Sequence, residues 1–256
     1  MAKGMLQKMR ASFVALMITL LCTGTAFGQG LEERLPLCGE RCWPDGVDEQ
    51  AAYIYRYTLP QFAGDGAQPI NAYYSAIGAD MADAMVEQNA QQAQDARGEG
   101  MPPQLTELGY RVTRNDDRYL SVILTSSQLM GSAGSDTLSA MTFARDGIYA
   151  GQPLTLSQVL GLEQEGDELS TEESLAERLA YQLVWQNIQQ SSQQVDGDYL
   201  DGLSEAGLRT AFSPESDFYL DLDGNIVFFI QAGVVAGEVA GILTFPFSSA
   251  ELLSAA

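Results

Sequence analysis

The stretch from Phe218 to Ile230 constrains the fold more than any other part of this chain. Two apolar runs, Phe218–Leu222 and Asn225–Ile230, flank Asp223-Gly224, a dipeptide that tolerates the positive φ angles of a two-residue type I′ turn. That predicts two paired antiparallel strands. In the first run Phe218, Leu220 and Leu222 alternate with Tyr219 and Asp221, the pattern of a strand with one buried face. The second run is apolar on both faces, which places it inside a sheet. The hairpin is scaffold and carries no chemistry. An EF-hand loop starting at Asp221 would need Gly and Glu where Ile226 and Ala232 stand, so Asp221 and Asp223 read as turn residues.

The N-terminus bounds the compartment. Lys3, Lys8 and Arg10 precede an apolar run from Ala11 to Cys22, and Ala26-Phe27-Gly28 places small residues where a signal peptidase needs them. Residues 1–28 are therefore expected to be a signal peptide cleaved near Gly28, with the mature protein extracytoplasmic, secreted or envelope-associated. The alternative is retention of this segment as an anchor. The run is short for a bilayer span, and no later stretch is long and apolar enough to replace it.

Charge then narrows the chemistry. The chain has 13 basic and 34 acidic residues and no histidine. Both lysines and Arg10 lie before the expected cleavage site, leaving ten arginines against 34 acids, a formal −24. A His general base, a Ser-His-Asp triad, a Schiff-base or P-loop lysine and a His-ligated zinc are excluded. No cofactor is expected. The acidic balance argues against a nucleic-acid partner and favours a basic protein or divalent cations, or else serves solubility alone.

Cys38 and Cys42 are the two cysteines beyond the signal segment, and an even pair in a secreted chain is expected to form a disulfide. It would staple residues 29–50, a Pro-, Gly- and acid-rich lead-in. Residues 51–252 then read as one α+β domain, an antiparallel sheet with two main helices packed against it. The strands expected are Ala51–Leu59, Tyr110–Arg114, Tyr119–Thr125, Leu138–Arg145, the opening hairpin and Ile242–Phe247, where Pro246 marks an edge. One helix follows Pro69 to about Arg97, with Ile70, Tyr73, Tyr74, Ile77, Met81 and Met85 as its core stripe. The other starts at a capping box, Ser170 to Glu173, and reaches about Gln190. Gln128–Thr137 reads as a Gly/Ser loop.

Candidate chemistry is sparse. Asp196, Asp198 and Asp201, spaced through a glycine-bearing segment, are the candidate cation ligands, against the plainer reading of a solvated linker. Paired carboxylates would suffice for a glycan hydrolase, yet with 34 acids nothing singles out a pair.

Several stretches in order resemble a bacterial extracytoplasmic domain of unknown function, found at the C-terminal end of the RsiV anti-sigma factor and beside the deacetylase domain of PdaC. They are Tyr57-Thr58-Leu59-Pro60-Gln61-Phe62 with Ile70-Asn71-Ala72-Tyr73-Tyr74, the strand pair ending at Gly131, Met141–Gly147 with Pro153–Leu156, and the Phe-x-Pro lead-in to the opening hairpin. The resemblance implies an α+β envelope domain without catalytic residues, binding peptidoglycan or a cationic wall-active protein such as lysozyme. Two departures stand out. Gly131-Ser132-Ala133-Gly134 lacks the histidine of the family's loop, and a sigma-binding segment ahead of the signal sequence is not expected. Carboxylate-dependent glycan hydrolysis and a calcium-stabilised structural role are the alternative expectations.

Overall fold

The computed structural model describes residues 30–44, 51–130, 133–163, 173–192 and 199–255. The expected signal peptide lies outside them. The first part of the chain forms β1 (Glu32–Glu33), β2 (Leu37–Trp43), β3 (Tyr53–Leu59), β4 (Phe62–Ala63) and α1 (Ala67–Gly98). Three long strands follow, β5 (Gln104–Asn115), β6 (Tyr119–Met130) and β7 (Ala133–Ala144). The rest comprises α2 (Leu156–Leu160), α3 (Leu175–Ser192), α4 (Glu205–Ala211), β8 (Phe218–Leu220), β9 (Ile226–Ile230), β10 (Leu243–Phe247) and α5 (Ser249–Ser254).

The alternation in β3 turns Tyr53, Tyr55 and Leu59 into a buried face, and α1 covers it through Ala67, Ile70, Tyr74, Gly78 and Ala82. Gly78 sets the approach. A Cβ there would lie 3.0 Å from both Leu59 Cδ1 and Tyr57 Cε2, so a larger residue would lift the helix off the strand. The stripe expected from sequence is core, as Tyr73, Met81 and Met85 pack against the same cluster. Pro69 is tolerated because the first turn of a helix has no internal partner for its N–H.

The fold is α+β and rich in antiparallel pairing, with one exception to the expected sheet. β3 and β5 are parallel, because α1, 32 residues and about 48 Å long, carries the chain from the Leu59 end of β3 back to the end at which β3 began, where Gln104 pairs beside Tyr53. The order is β2-β3-β5-β6-β7. Within the lead-in, Leu37–Trp43 is a strand that pairs along its whole length with β3, from Leu37↔Leu59 to Trp43↔Tyr53. Gln128–Thr137 is not the expected loop. β6 and β7 stay paired out to Met130↔Ala133, so Gln128 and Leu129 of β6 face Ser135 and Gly134 of β7 in one long antiparallel pair.

The second sheet, β10-β9-β8, puts the all-apolar β9 in the middle and the Pro246 strand at the edge, as the sequence implies. All five β9 residues are buried. Helix α3 covers this sheet, with Ala176, Ala180, Val184 and Ile188 in one cluster with Ile226, Phe228 and Ile230. Its capping box is Ser174 and Glu177, where Ser174 N–H donates to Glu177 (2.9 Å) and Glu177 N–H to Ser174 Oγ (3.0 Å). That lies one turn after the expected box. Ser170 falls outside the described residues, and Glu173 instead pairs with Arg209.

The opening hairpin differs from expectation at its tip. Leu220 is the last β8 residue, and Gly224 N–H donates to the Asp221 carbonyl (3.1 Å), making 222–224 a three-residue loop with Gly224 at φ 87°. Asp221 closes it, accepting from the N–H groups of Asp223 (2.9 Å) and Asn225 (2.8 Å). Leu222 is therefore 80% exposed rather than core.

The sheets are joined by polar contacts. Ser121 Oγ, paired with Thr142 Oγ1 at 2.9 Å, accepts the N–H of Leu220 at 3.0 Å. The Gln231 amide bonds both backbone groups of Leu138, accepting at 3.0 Å and donating at 2.7 Å, and so blunts the outer edge of β7.

Candidate functional site

Asp196 and Asp198 lie outside the described residues, and Asp201 sits in an exposed turn. Among the described residues no group of three or more Cys, Asp or Glu side chains is placed to hold a metal.

Cys38 and Cys42 stand as thiols, which corrects the expected disulfide. Both lie on β2, whose extended backbone advances about 3.3 Å per residue, so ~13 Å separates their Cα atoms. A disulfide needs less than about 7 Å. Cys38 Sγ contacts Thr58 Oγ1 (3.9 Å) and Cys42 Sγ contacts Glu40 Oε1 (3.7 Å). With Glu40 they occupy one face of the strand, level with Thr58, Arg56 and Ile54 on β3. There Arg56 Nε donates to Glu40 at 2.5 Å, and its Nη1 lies 3.9 Å from Glu107.

The opposite face of β2 builds a feature of ligand-binding dimensions. Arg41 and Trp43 point toward α1 and, with Asp83, Glu87, Gln91 and Gln94 of the helix, line an open groove of about 620 Å³, within the usual range for small-molecule sites. Trp43 is 40% exposed. Arg41 spans the groove, its Nη2 2.6 Å and Nε 3.1 Å from Asp83 Oδ1. Positions 83, 87, 91 and 94 recur at helical spacing, so one polar stripe of α1 faces the groove while the apolar stripe faces the sheet. Sequence reasoning passed over these residues because it treated α1 only as a core helix. The available signal was that polar stripe, together with a tryptophan beside Pro44 in a polar segment.

The groove offers an aromatic face, two primary amides, two carboxylates and a guanidinium. That set suits a ligand with apolar ring faces and many hydroxyl or amide groups. It suits hydrolysis poorly. The Asp83 side chain is 67% exposed and held by Arg41, whereas glycoside hydrolysis needs a carboxyl kept as a proton donor in a shielded site. No described helix is long and apolar enough to cross a membrane.

No family model matches the chain, and no curated protein matches it. Among solved structures, a DUF3298 family member from Bacteroides fragilis NCTC 9343 aligns over 88% of this chain and 94% of its own, with 11% identity and a TM-score of 0.55. A DUF3298 family protein from Pseudomonas aeruginosa PAO1 aligns over the same shares with 16% identity and a TM-score of 0.48. The first likeness establishes architecture: this chain has the fold of a bacterial DUF3298 protein.

Proposed function

We propose that this is an extracytoplasmic, non-catalytic binding module whose α1/β2 groove takes a glycan of the cell wall, peptidoglycan being the natural candidate. The observation that carries the reading is the half-exposed Trp43 at the mouth of a groove lined by amides and carboxylates. The ring stacks on the apolar face of a pyranose, while Gln91, Gln94 and Glu87 meet its hydroxyl and acetamido groups. The signal-like N-terminus and the resemblance to the envelope domain of RsiV and PdaC support the location. The test is co-sedimentation with purified sacculi. The chain is expected to bind saturably, and Trp43→Ala to bind at least about tenfold more weakly, or ~1.4 kcal/mol, with its urea midpoint unchanged. Binding that survives Trp43→Ala removes the groove from the reading, and no binding at all removes the glycan.

A second reading, a cationic wall-active protein as ligand, draws support from the exposed outer side of α1. Asp80, Glu87 and Asp95 are exposed on the helix, whose own basic residue is Arg97, and Asp83 beside them is bonded to Arg41 of β2. Such a complex with lysozyme would form at low salt and dissociate near 1 M, where the screening length falls to about 3 Å. Glycan binding would persist under those conditions.

A further inference from the structure

We propose that β2 is a covalent self-association edge: two copies of this chain pair their β2 strands antiparallel and are locked by Cys38–Cys42 disulfides between copies. β2 is the terminal strand of the five-stranded sheet, and among the described residues no strand pairs its outer side. Such an edge is a template for another strand. Pro36 and Pro44 bracket Leu37–Trp43 and, lacking an N–H to donate, confine pairing to those seven residues. The midpoint of this segment is Glu40.

Full-length antiparallel pairing of the strand with itself therefore has its two-fold axis at Glu40. In that register Cys38 of each copy stands directly opposite Cys42 of the other, both on the face shared with Glu40. Directly opposed residues of antiparallel strands have Cα atoms about 4.5–5.5 Å apart, inside the roughly 4.4–6.8 Å span of a disulfide. The spacing that forbids a bond within one strand thus matches a bond between two. The two Glu40 carboxylates meet at the axis, and Arg56 of each copy, already bonded to its own Glu40, supplies the countercharge. Isologous pairing of this kind closes on itself and leaves no free β2 edge.

The covalent step is thiol–disulfide exchange. Cys38 and Cys42 of opposite copies lose two protons and two electrons as the S–S bond forms, and a low-molecular-weight or protein disulfide is reduced to two thiols. Export supplies such an oxidant in the cell; in vitro, oxidised glutathione does, so the test is independent of both localisation and the groove's ligand.

The chain is incubated with oxidised glutathione and run on a non-reducing gel. Wild type is expected to form a covalent dimer reverting with reductant. Cys22→Ser, which removes the remaining thiol of the chain, is expected to dimerise like wild type; in that background Cys38→Ser and Cys42→Ser are each expected to stay monomeric alone, and to form one covalent heterodimer when mixed, since only Cys42 of the first and Cys38 of the second then remain. A wild-type chain that stays monomeric overturns the proposal. So does a dimer retained by either single variant, which would signal Cys38–Cys38 or Cys42–Cys42 contact instead of the stated register.

Discussion

Replacing Gly224 by alanine tests how the hairpin tip is locked to the first sheet. Gly224 has a φ of 87°, and a Cβ there would sit 2.5 Å from Arg114 Nη1. Arg114 has little freedom to retreat, because its Nε donates to Asp116 Oδ2 at 2.6 Å and its Nη1 reaches the Asp221 carbonyl at 3.4 Å. Gly147 provides the control: its φ is 74° but nothing lies within 4 Å of an added Cβ. Left-handed backbone costs an L-residue about 1–2 kcal/mol, and alanine recovers about 0.4–1 kcal/mol by restricting the unfolded chain. Gly147→Ala should then cost roughly 0.5–1 kcal/mol. Gly224→Ala adds disruption of a charge-assisted bond worth about 1.5–3 kcal/mol, for a total of about 2–4 kcal/mol. Urea unfolding should show a lower midpoint with an unchanged slope. In an Arg114→Ala background the Gly224→Ala cost should shrink to that of Gly147→Ala. The reasoning is refuted if Gly224→Ala is no costlier than its control, or if its excess cost persists without Arg114.

Three further outcomes are expected. Ser121→Ala leaves the Leu220 N–H buried without its acceptor, and should cost about 1–3 kcal/mol; an unaltered melting temperature would show that the sheets do not depend on this contact. Glu215→Gln should destabilise to a similar degree, because the carboxylate accepts from the N–H (3.0 Å) and hydroxyl (2.5 Å) of Ser157 and the hydroxyl of Ser174 (2.7 Å). An amide has one acceptor oxygen for these three donors, so thermal melts indistinguishable from wild type would discredit the clamp. Asp116 should contribute to acid sensitivity. Burial alone would raise its carboxyl, but N–H donors from Tyr119 and Arg118 and the Arg114 guanidinium outweigh this and hold it below the ordinary carboxylate range. A depressed folded value means stability present above about pH 3.9 and lost as pH falls through the folded value. Asp116→Asn should therefore show a shallower decline below about pH 4, and parallel stability–pH curves for the two proteins would contradict the assignment.

The groove was partly legible in advance. Asp83, Glu87, Gln91 and Gln94 share a helical stripe visible in the sequence, but nothing local shows which polar stripe meets another element and which meets water. That depends on where β2 lies, and the lead-in composition concealed β2 altogether. Glycine and charged residues carry low strand propensity, and at Leu37–Trp43 tertiary pairing overrides it. Tyr57 stacks over Gly39, where a Cβ would lie 2.1 Å from its ring, so the weakest position of the strand is covered by the partner strand's aromatic.

By itself the sequence determined the local elements with strong periodicity: the buried β9, the edge strand bearing Pro246, the long α1 and the tyrosine face of β3. Periods of two and 3.6 residues follow from backbone geometry alone, so an unbroken pattern is sufficient to specify them. The residue inventory likewise excluded histidine-dependent chemistry, since the chain has no histidine and a group absent from it cannot act. Only tertiary structure decided the parallel β3/β5 pair, the separate sheets under α1 and α3, and the three-residue loop that exposes Leu222. It also decided the fate of the two cysteines. Their spacing allowed a tight loop or an extended strand, and pairing with β3 selected the strand by satisfying backbone groups that a loop would leave to water.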